Sequence, residues 1–381
     1  MKRILLISPV PTHPQTAGNR TRIDGLLASL RQLGHDVYFL HAQREKGDET
    51  TMRNIWGDRF YTVPYAPPRS WIRQQIRKLA GLFNQDAKYV YAIDDWYDPS
   101  LDQEILKFHR RFRFDAVVVE YVFFSKALDL FGNDVLKIID THDLFTDRHR
   151  KYLDNGQVPQ WFSTSRAEEA KGLDRADIII AIQDKERDFF SGLTTKRIIT
   201  VGHMVALHEP APERAGGKKI VFVASDNPIN ADGINHFISE SFHQIRDRVR
   251  DAELVLAGTV CKAVRDQPGI VKLGRVDDLS SVYQSASIVI NPVYFNTGLS
   301  IKNLEALGYG KPLVTAPVGV DGLEDGAGSA FLVADDAKAF SDSITKLLSD
   351  EGFAWELSRR AFDFAMERNL HIVRQLEDIL A

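Results

Sequence analysis

Short runs of β-branched and other apolar residues alternate with segments of helical spacing along the whole chain, and this alternation constrains the fold most. The runs lie at residues 4–7, 37–40, 116–119, 137–139, 178–182 and 198–201, then at 220–223, 254–257, 270–273, 288–290, 313–315 and 331–333. Several are apolar at every position, as strands are when both faces of a parallel sheet are covered. The pattern predicts right-handed βαβ units and doubly wound sheets.

The segments between these runs have the spacing of amphipathic helices. One stripe consists of Ile23, Leu26, Leu27, Leu30 and Leu33, and Gly34 follows it as a natural stop. Residues 351–381 also have a helical pattern. The class is therefore α/β.

The length of 381 residues predicts two or three domains. A break in periodicity at residues 203–219 marks the boundary. We predict two Rossmann-like domains facing each other across a cleft, at 1–205 and 206–350, with a C-terminal helix at 351–381 that crosses back to the first. Residues 45–100 look like an irregular excursion from the first domain.

Composition and charge exclude several classes of protein. The net charge of -4 argues against bulk electrostatic binding of nucleic acid. With Cys261 as the single cysteine, no intrachain disulfide forms, which favours the cytoplasm. No apolar run reaches the roughly 20 residues of a membrane span, and the run at 4–7 is too short for a signal peptide.

The most informative stretch is residues 296–314, which follow the apolar run at 288–290. A Gly-containing loop, with Thr297, Gly298 and Leu299, enters a helix at about Ser300. The N-terminus of a helix presents free N–H groups that suit a diphosphate. Lys302 and Glu305 share one face of this helix, so we predict a phosphate contact for the lysine and ribose hydroxyl contacts for the glutamate. Spacing alone fits a solvent-exposed Lys–Glu pair equally well.

This stretch resembles the donor-site signature of retaining GT-B glycosyltransferases of family 4 (glycosyltransferase group 1), in the surface-polysaccharide subgroup. Glu305-Ala306 and Gly310-Lys311-Pro312 match its second half, whereas Thr297 stands where the signature has a first glutamate. The resemblance extends over nearly the whole chain. It implies a GT-B fold, with an acceptor-binding first domain and a donor-binding second domain.

Further donor-binding candidates follow from the resemblance. Ser225, Asp226 and Asn230 lie in what looks like the first βα turn of the donor domain, where helix capping is an equal alternative. The strand and loop that hold the nucleobase are identified at Gly274, Arg275 and Val276.

The loop after the first strand is the corresponding phosphate-facing turn of the first domain. It contains Gly18, and Arg20 and Arg22 add positive charge. A plain turn is an equal alternative for this loop.

Candidate catalytic groups follow two strands of the first domain. Asp140, His142 and Asp143 come directly after one apolar run, where a histidine that titrates near neutrality lies beside carboxylates. Glu120 follows another, at the position where relatives place a histidine. We predict His142, Asp143 and Glu120 as catalytic. Glu120 either polarises an acceptor hydroxyl or bonds neighbouring backbone.

We therefore expect a glycosyltransferase that moves a sugar from a nucleotide-diphosphate sugar to a glycan or lipid-linked acceptor, with retention implied by the resemblance. A nucleotide-sugar epimerase and a non-catalytic nucleotide-sugar-binding subunit remain alternatives. The sequence has no Asp-x-Asp, dinucleotide or P-loop motif and no zinc spacing, so we expect no metal and no cofactor.

Residues 69–83 form a basic amphipathic pattern, with Ile72, Ile76, Leu79 and Phe83 at helical spacing. Such a helix either lies on an anionic membrane surface or packs on the first domain. We expect a cytoplasmic protein, with peripheral contact to the inner membrane in the first of these cases.

Overall fold

The computed structural model describes residues 1–15, 17–66, 85–210, 217–276, 278–295 and 298–381. Contacts divide the chain into two compact units. One consists of Met1–Gly202 together with Ile372–Ala381, and the other of His203–His371.

The first unit is built on a parallel sheet of seven strands. Its elements in chain order are β1 (Arg3–Ser8), α1 (Gly18–Gln32), β2 (Asp36–Ala42), α2 (Glu49–Trp56), β3 (Phe60–Val63), α3 (Leu101–Phe112), β4 (Ala116–Glu120), β5 (Leu136–Asp140), α4 (Arg148–Leu153), α5 (Arg166–Leu173), β6 (Ile178–Ala181), α6 (Asp184–Ser191) and β7 (Arg197–Thr200). The strand order is β3-β2-β1-β4-β5-β6-β7, and every pairing is parallel.

The expectation that residues 45–100 are irregular is wrong for α2 and β3, which lie inside that segment. Phe60 and Val63 are buried and pair β3 with β2, while Tyr61 and Thr62 are half-buried. Aromatic and β-branched residues in succession favour a strand, and four residues are enough at the edge of a sheet.

The second unit repeats this architecture with six strands. Its elements are β8 (Lys218–Val223), α7 (Pro228–Phe237), α8 (His243–Arg248), β9 (Ala252–Ala257), β10 (Ile270–Gly274), α9 (Ser280–Ser285), β11 (Ile288–Asn291), α10 (Ile301–Gly308), β12 (Leu313–Thr315), β13 (Leu332–Val333), α11 (Ala337–Ser349) and α12 (Glu351–Leu380). The order is β10-β9-β8-β11-β12-β13, again parallel throughout.

Both faces of this second sheet are buried, which explains the continuously apolar runs. Ile220 and Phe222 of β8 belong to one hydrophobic cluster. Val221, between them, belongs to the other. Successive side chains of a strand point to opposite faces, so an unbroken apolar run serves two helical layers at once. The predicted Rossmann-like halves are thereby confirmed.

A close approach of backbones fixes the first βα turn of the second unit. Gly258, directly after β9, has φ of 98°, and a Cβ there would lie 2.2 Å from the carbonyl oxygen of Ala224. Only glycine accepts both the left-handed backbone and this contact. The carboxyl ends of β8 and β9 are therefore held side by side.

Helix α12 contributes to both units, because the first includes Ile372–Ala381 and the second ends at His371. Among the described helices, none combines the length and the apolarity that crossing a bilayer requires.

Candidate functional site

Lys302 lies in the first turn of α10, at the carboxyl edge of the second sheet. Its ammonium donates to Oδ1 of Asn230 at 2.8 Å and lies 5.0 Å from the ring centroid of Phe222. Burial lowers the pKa of Lys302 to about 8, and the charge of Glu305 acts in the opposite direction. A cation held in this way is stabilised when an anion binds beside it.

Glu305 lies one helical turn further along the same face of α10. Its Oε2 accepts a hydrogen bond from the hydroxyl of Tyr283 at 2.8 Å, and Tyr283 belongs to α9. Burial raises the pKa of Glu305, while the Tyr283 hydroxyl and the Lys302 charge lower it. The hydrogen bond from Tyr283 thus engages one of the two carboxylate oxygens of Glu305. The exposed-pair alternative is wrong: both side chains are half-buried and packed among aromatic rings.

A buried polar network holds the start of α10. Asn291, the last residue of β11, donates to the hydroxyl of Ser300 at 3.0 Å. Asn303 donates to the Thr315 hydroxyl at 3.2 Å and to the carbonyl of Gly319 at 2.9 Å. Ser300 precedes the helix and is itself buried. The network ties the helix to the loops after β11 and β12, so the first turn of α10 is preorganised.

The turn after β8 faces the same helix. Asn227 caps α7 by accepting from the backbone N–H of Asn230 at 2.8 Å. Asn230 donates to the carbonyl of Ser225 at 3.1 Å and accepts from Lys302. Asp226 is exposed and accepts from the Thr259 hydroxyl at 3.0 Å. Of the three residues predicted here, Asn230 contacts Lys302, whereas Ser225 and Asp226 build the turn.

The other described donor-site candidates of the second unit follow β10 and β11. Gly274 ends β10 with φ of 68°, and its carbonyl accepts from the N–H of Gly258 at 2.7 Å. Arg275 is exposed, while Val276 packs against the hydrophobic cluster that includes Tyr283. Leu299 packs against that cluster as well, and Gly298 precedes it. Thr297 lies outside the described residues, as do residues 69–83 of the basic segment.

In the first unit, Glu120 and His142 contact each other at the carboxyl ends of β4 and β5. Nε2 of His142 hydrogen-bonds Oε2 of Glu120, and its ring stacks on Tyr121 with centroids 4.1 Å apart. Burial and the charge of Asp140 raise the pKa of Glu120 to about 7, and His142 lowers it.

The prediction that Glu120 polarises an acceptor hydroxyl directly needs correction. Its side chain is 0% exposed, and that of His142 is 4% exposed. Oε2 already binds His142, and Oε1 is a buried oxygen without a partner among the described residues. Glu120 therefore orients His142.

Arg22 and Asp140 form a buried ion pair that the sequence reasoning missed. Nε and Nη2 of Arg22 donate to the two oxygens of Asp140 at 2.8 and 2.6 Å. Arg22 also donates to the carbonyls of Val201 and Gly202 at 3.0 and 2.9 Å. The expectation that Arg22 adds free positive charge to the loop is wrong, because its donors are used inside the unit. The available signal was its position four residues before Leu26, on the buried face of α1.

Asp143 is turned toward a different partner. Its Oδ2 accepts from Nε of Arg148 at 2.8 Å, and its Oδ1 accepts from the N–H of Leu144 at 2.8 Å. His142 itself has φ of 62°, so the chain changes direction immediately before Asp143. The carboxylates beside His142 are those of Glu120 and Asp140, and the predicted catalytic role of Asp143 has no geometric support in this unit.

The loop after β1 places Gly18 as the first residue of α1. Arg20 donates to the carboxylate of Glu45 at 3.3 Å and to the carbonyl of Pro14 at 3.2 Å. It therefore links this loop to the one after β2, instead of standing free for a donor phosphate.

Three residues with left-handed backbone gather at this edge. Tyr121, His142 and Trp161 have φ of 72°, 62° and 70°. The Tyr121 ring lies 4.1 Å from that of His142 and 6.1 Å from that of Trp161, between centroids. Such backbone strain in non-glycine residues persists where surrounding structure imposes it, and it clusters at active sites. The edge formed by β4 and β5 is the candidate catalytic region of the first unit.

Among the described residues, Glu120, Asp140 and His142 also place one potential metal-ligand atom each within 4.8 Å of one another. Arg22 already occupies both oxygens of Asp140 and supplies the positive charge that a cation would bring. We therefore keep the expectation of metal-independent chemistry as a prediction.

Residues 217–350 match the family model described as "Glycosyl transferases group 1". The match covers β8 to α11 of the second unit. The chain is a glycosyltransferase. This glycosyltransferase resembles solved structures that show its fold to be GT-B. HepE of Anabaena, solved with UDP, is 12% identical with a TM-score of 0.65, over 100% of this chain and 99% of that one.

A second structural neighbour of the glycosyltransferase is S. aureus TarM, solved as a point mutant with Fondaparinux, alpha-GlcNAc-glycerol and UDP. It is 9% identical with a TM-score of 0.70, over 100% of this chain and 99% of that one. An "Uncharacterized 44.6 kDa protein in cps region" of Klebsiella pneumoniae is 20% identical over 403 residues, covering 96% of each chain.

Proposed function

We propose that the second unit binds a nucleotide-diphosphate sugar, with the pyrophosphate at the first turn of α10. The observation that carries this proposal is the half-buried Lys302–Glu305 face, held by Asn230 and Tyr283. The helix N-terminus and Lys302 both favour negative charge at this point. Glu305 has an oxygen left to accept ribose hydroxyls.

The Lys302–Glu305 face would assist sugar transfer by electrostatic stabilisation. Sugar transfer leaves growing negative charge on the departing diphosphate, and preorganised positive groups stabilise that charge. Lys302 provides a full charge, and the N–H groups of the first turn provide partial charges. The Asn291–Ser300 bond keeps these donors in place as the charge develops.

The first unit is proposed to receive the acceptor at the edge where β4 and β5 end. His142 is the candidate group next to the reacting hydroxyl, oriented by Glu120 and by the stacked ring of Tyr121. The acceptor is a glycan or a lipid-linked glycan. Retention at the anomeric carbon is proposed from the resemblance to retaining enzymes of the same signature.

The comparisons support the choice of donor and the cellular role. HepE and TarM were both solved with UDP, so a uracil nucleotide is the first donor to test. The Klebsiella relative is described as a protein in a cps region, which supports a role in surface polysaccharide assembly. A cytoplasmic location, peripheral at the membrane when the acceptor is lipid-linked, belongs to the same proposal.

To test this proposal, the purified chain is incubated with UDP-, GDP-, dTDP- and ADP-sugars, and the release of the nucleoside diphosphate is measured. Proton NMR of the product identifies the new anomeric bond. We expect release with one nucleotide class and a retained configuration. We expect Lys302→Ala to lose this nucleotide release. Lys338 is an exposed lysine of α11, and we expect Lys338→Ala to keep the release. A changed sugar still attached to its nucleotide would establish the epimerase, and tight binding without turnover would establish the binding subunit.

A further inference from the structure

An arginine lies on a tryptophan pair at the acceptor-side edge of the first unit. Arg44 follows β2, and its guanidinium carbon lies 3.8 Å from the ring centroid of Trp96 and 4.9 Å from that of Trp161. The two rings meet edge to face, with centroids 5.6 Å apart. The Arg44 side chain is 18% exposed, so its cation is partly desolvated yet reachable.

This arrangement is braced by hydrogen bonds from three separate segments. The N–H of Tyr91 donates to the carbonyl of Ser163 at 2.8 Å, and the Thr164 hydroxyl donates to the carbonyl of Tyr91 at 2.6 Å. The buried carboxylate of Glu169 accepts from the N–H of Phe145 at 2.9 Å. The loop that presents Trp161 is therefore fixed between the segment before α3 and the loop after β5.

Among the residues that the structure describes, two arginines share one carboxylate at this place. Glu45 lies 3.9 Å from Arg44 but 3.3 Å from Arg20, so one carboxylate serves two arginines. The Tyr65 hydroxyl donates to the carbonyl of Trp96 at 2.9 Å, and it leaves its lone pairs for Arg44. Burial lowers the pKa of Arg44, while Tyr65 and Glu45 act in the opposite direction. An anion at this point would restore the lost solvation.

The pair of tryptophans adjoins the candidate catalytic histidine. Trp161 contacts Tyr121, with centroids 6.1 Å apart, and Tyr121 stacks on His142 at 4.1 Å. A ligand resting on Trp161 therefore lies one ring away from His142.

We propose that Arg44, Trp96 and Trp161 form an acceptor subsite for a sugar ring that carries an anionic group. Trp96 holds the guanidinium in place, and the half-buried Trp161 ring supplies apolar contact area at little conformational cost. The guanidinium binds a carboxylate or a phosphate through two parallel hydrogen bonds. Two sources have this chemistry, a uronic acid and a sugar phosphate ester. The inference rests on the proposed function, because it assigns the acceptor class to that site.

The test measures binding of three probes to the full chain by ligand-observed NMR titration: methyl β-D-glucuronide, glucose 1-phosphate and neutral methyl β-D-glucoside. We expect one of the anionic probes to bind about tenfold more tightly than the glucoside, as a charge-assisted bidentate contact predicts. Preference for the glucuronide identifies the uronic acid, and preference for glucose 1-phosphate identifies the phosphate ester.

Arg44→Gln is expected to remove the preference. The matched control is Arg31→Gln, which removes another arginine stacked on a tryptophan, 5.1 Å from the ring centroid of Trp56, and is expected to keep it. Equal binding of all three probes to the unaltered chain, or an undiminished preference in Arg44→Gln, would overturn the subsite.

UDP binding to the same samples separates the two proposals. A normal UDP affinity with no anionic preference would reject the subsite alone. An anionic preference without binding of any nucleoside diphosphate would instead reject the donor site.

Discussion

Arg22 and Asp140 meet as a buried bidentate ion pair that joins α1 to the end of β5. The Arg22 side chain is 4% exposed and that of Asp140 is 0% exposed. The remaining guanidinium donors bind the carbonyls of Val201 and Gly202, the last residues of the chain before it enters the second unit. One side chain thus ties together three segments of the first unit.

Removing one partner of this pair should destabilise the first unit strongly. Arg22→Met leaves the Asp140 carboxylate buried without its cation, and such a loss costs about 3–5 kcal/mol. Urea unfolding followed by circular dichroism measures the change. The control is Arg59→Met, because Arg59 pairs with Asp36 at 2.7 Å while its side chain is 46% exposed, which predicts about 0–1 kcal/mol. Equal losses in both variants would contradict the assigned role.

Glu186 should make the stability of the first unit fall as pH rises. Burial and the charge of Asp143 raise the pKa of Glu186 to about 8. Between its unfolded pKa near 4.5 and about 8, the folded chain holds a proton that the unfolded chain releases, so the stabilisation is lost across this window. Glu186→Gln should flatten the curve of unfolding free energy against pH, whose slope from this group is at most about 1.4 kcal/mol per pH unit. Glu104→Gln, at an exposed site on α3, is the control and should leave the slope unchanged.

Affinity for the nucleotide should weaken in alkaline solution because of Lys302. Burial lowers the pKa of Lys302 to about 8, and a diphosphate binds the charged form. Above that pH, Lys302 must be protonated before the diphosphate binds, so the dissociation constant should rise by up to about tenfold per pH unit. Calorimetric titration with UDP at several pH values measures this rise. A Lys302→Arg variant that still binds should show a flat profile, because arginine keeps its charge; the same rise in that variant would place the titrating group elsewhere.

Activity should not depend on a divalent metal. Lys302 and the first turn of α10 provide the positive charge for the departing diphosphate, and Arg22 occupies Asp140. Dialysis against EDTA should leave the initial rate of transfer unchanged within about twofold, a difference below about 0.5 kcal/mol in barrier height. A rate that is lost on dialysis and restored by Mg²⁺ or Mn²⁺ would show that the Glu120, Asp140 and His142 cluster, or another site, binds a catalytic ion.

Sheet architecture followed from the sequence because buried parallel strands leave unbroken apolar runs. The same reasoning located the polar ends of β4, β5 and β11, where Glu120, Asp140 and Asn291 stand. The partners of the two carboxylates could not be predicted, because each comes from another segment of the chain: Arg22 for Asp140 and His142 for Glu120. The contact of Asp143 with Arg148 was not predicted, because the left-handed backbone of His142 cannot be read from a strand pattern.

Calorimetric titration of UDP and the other nucleoside diphosphates into the purified chain tests the central claim most directly. We predict that one of them binds, that Lys302→Ala and Glu305→Gln each weaken it at least about tenfold, and that Lys338→Ala binds as the unaltered chain does. Unchanged affinity in both α10 variants would show that the diphosphate does not lie at the start of this helix.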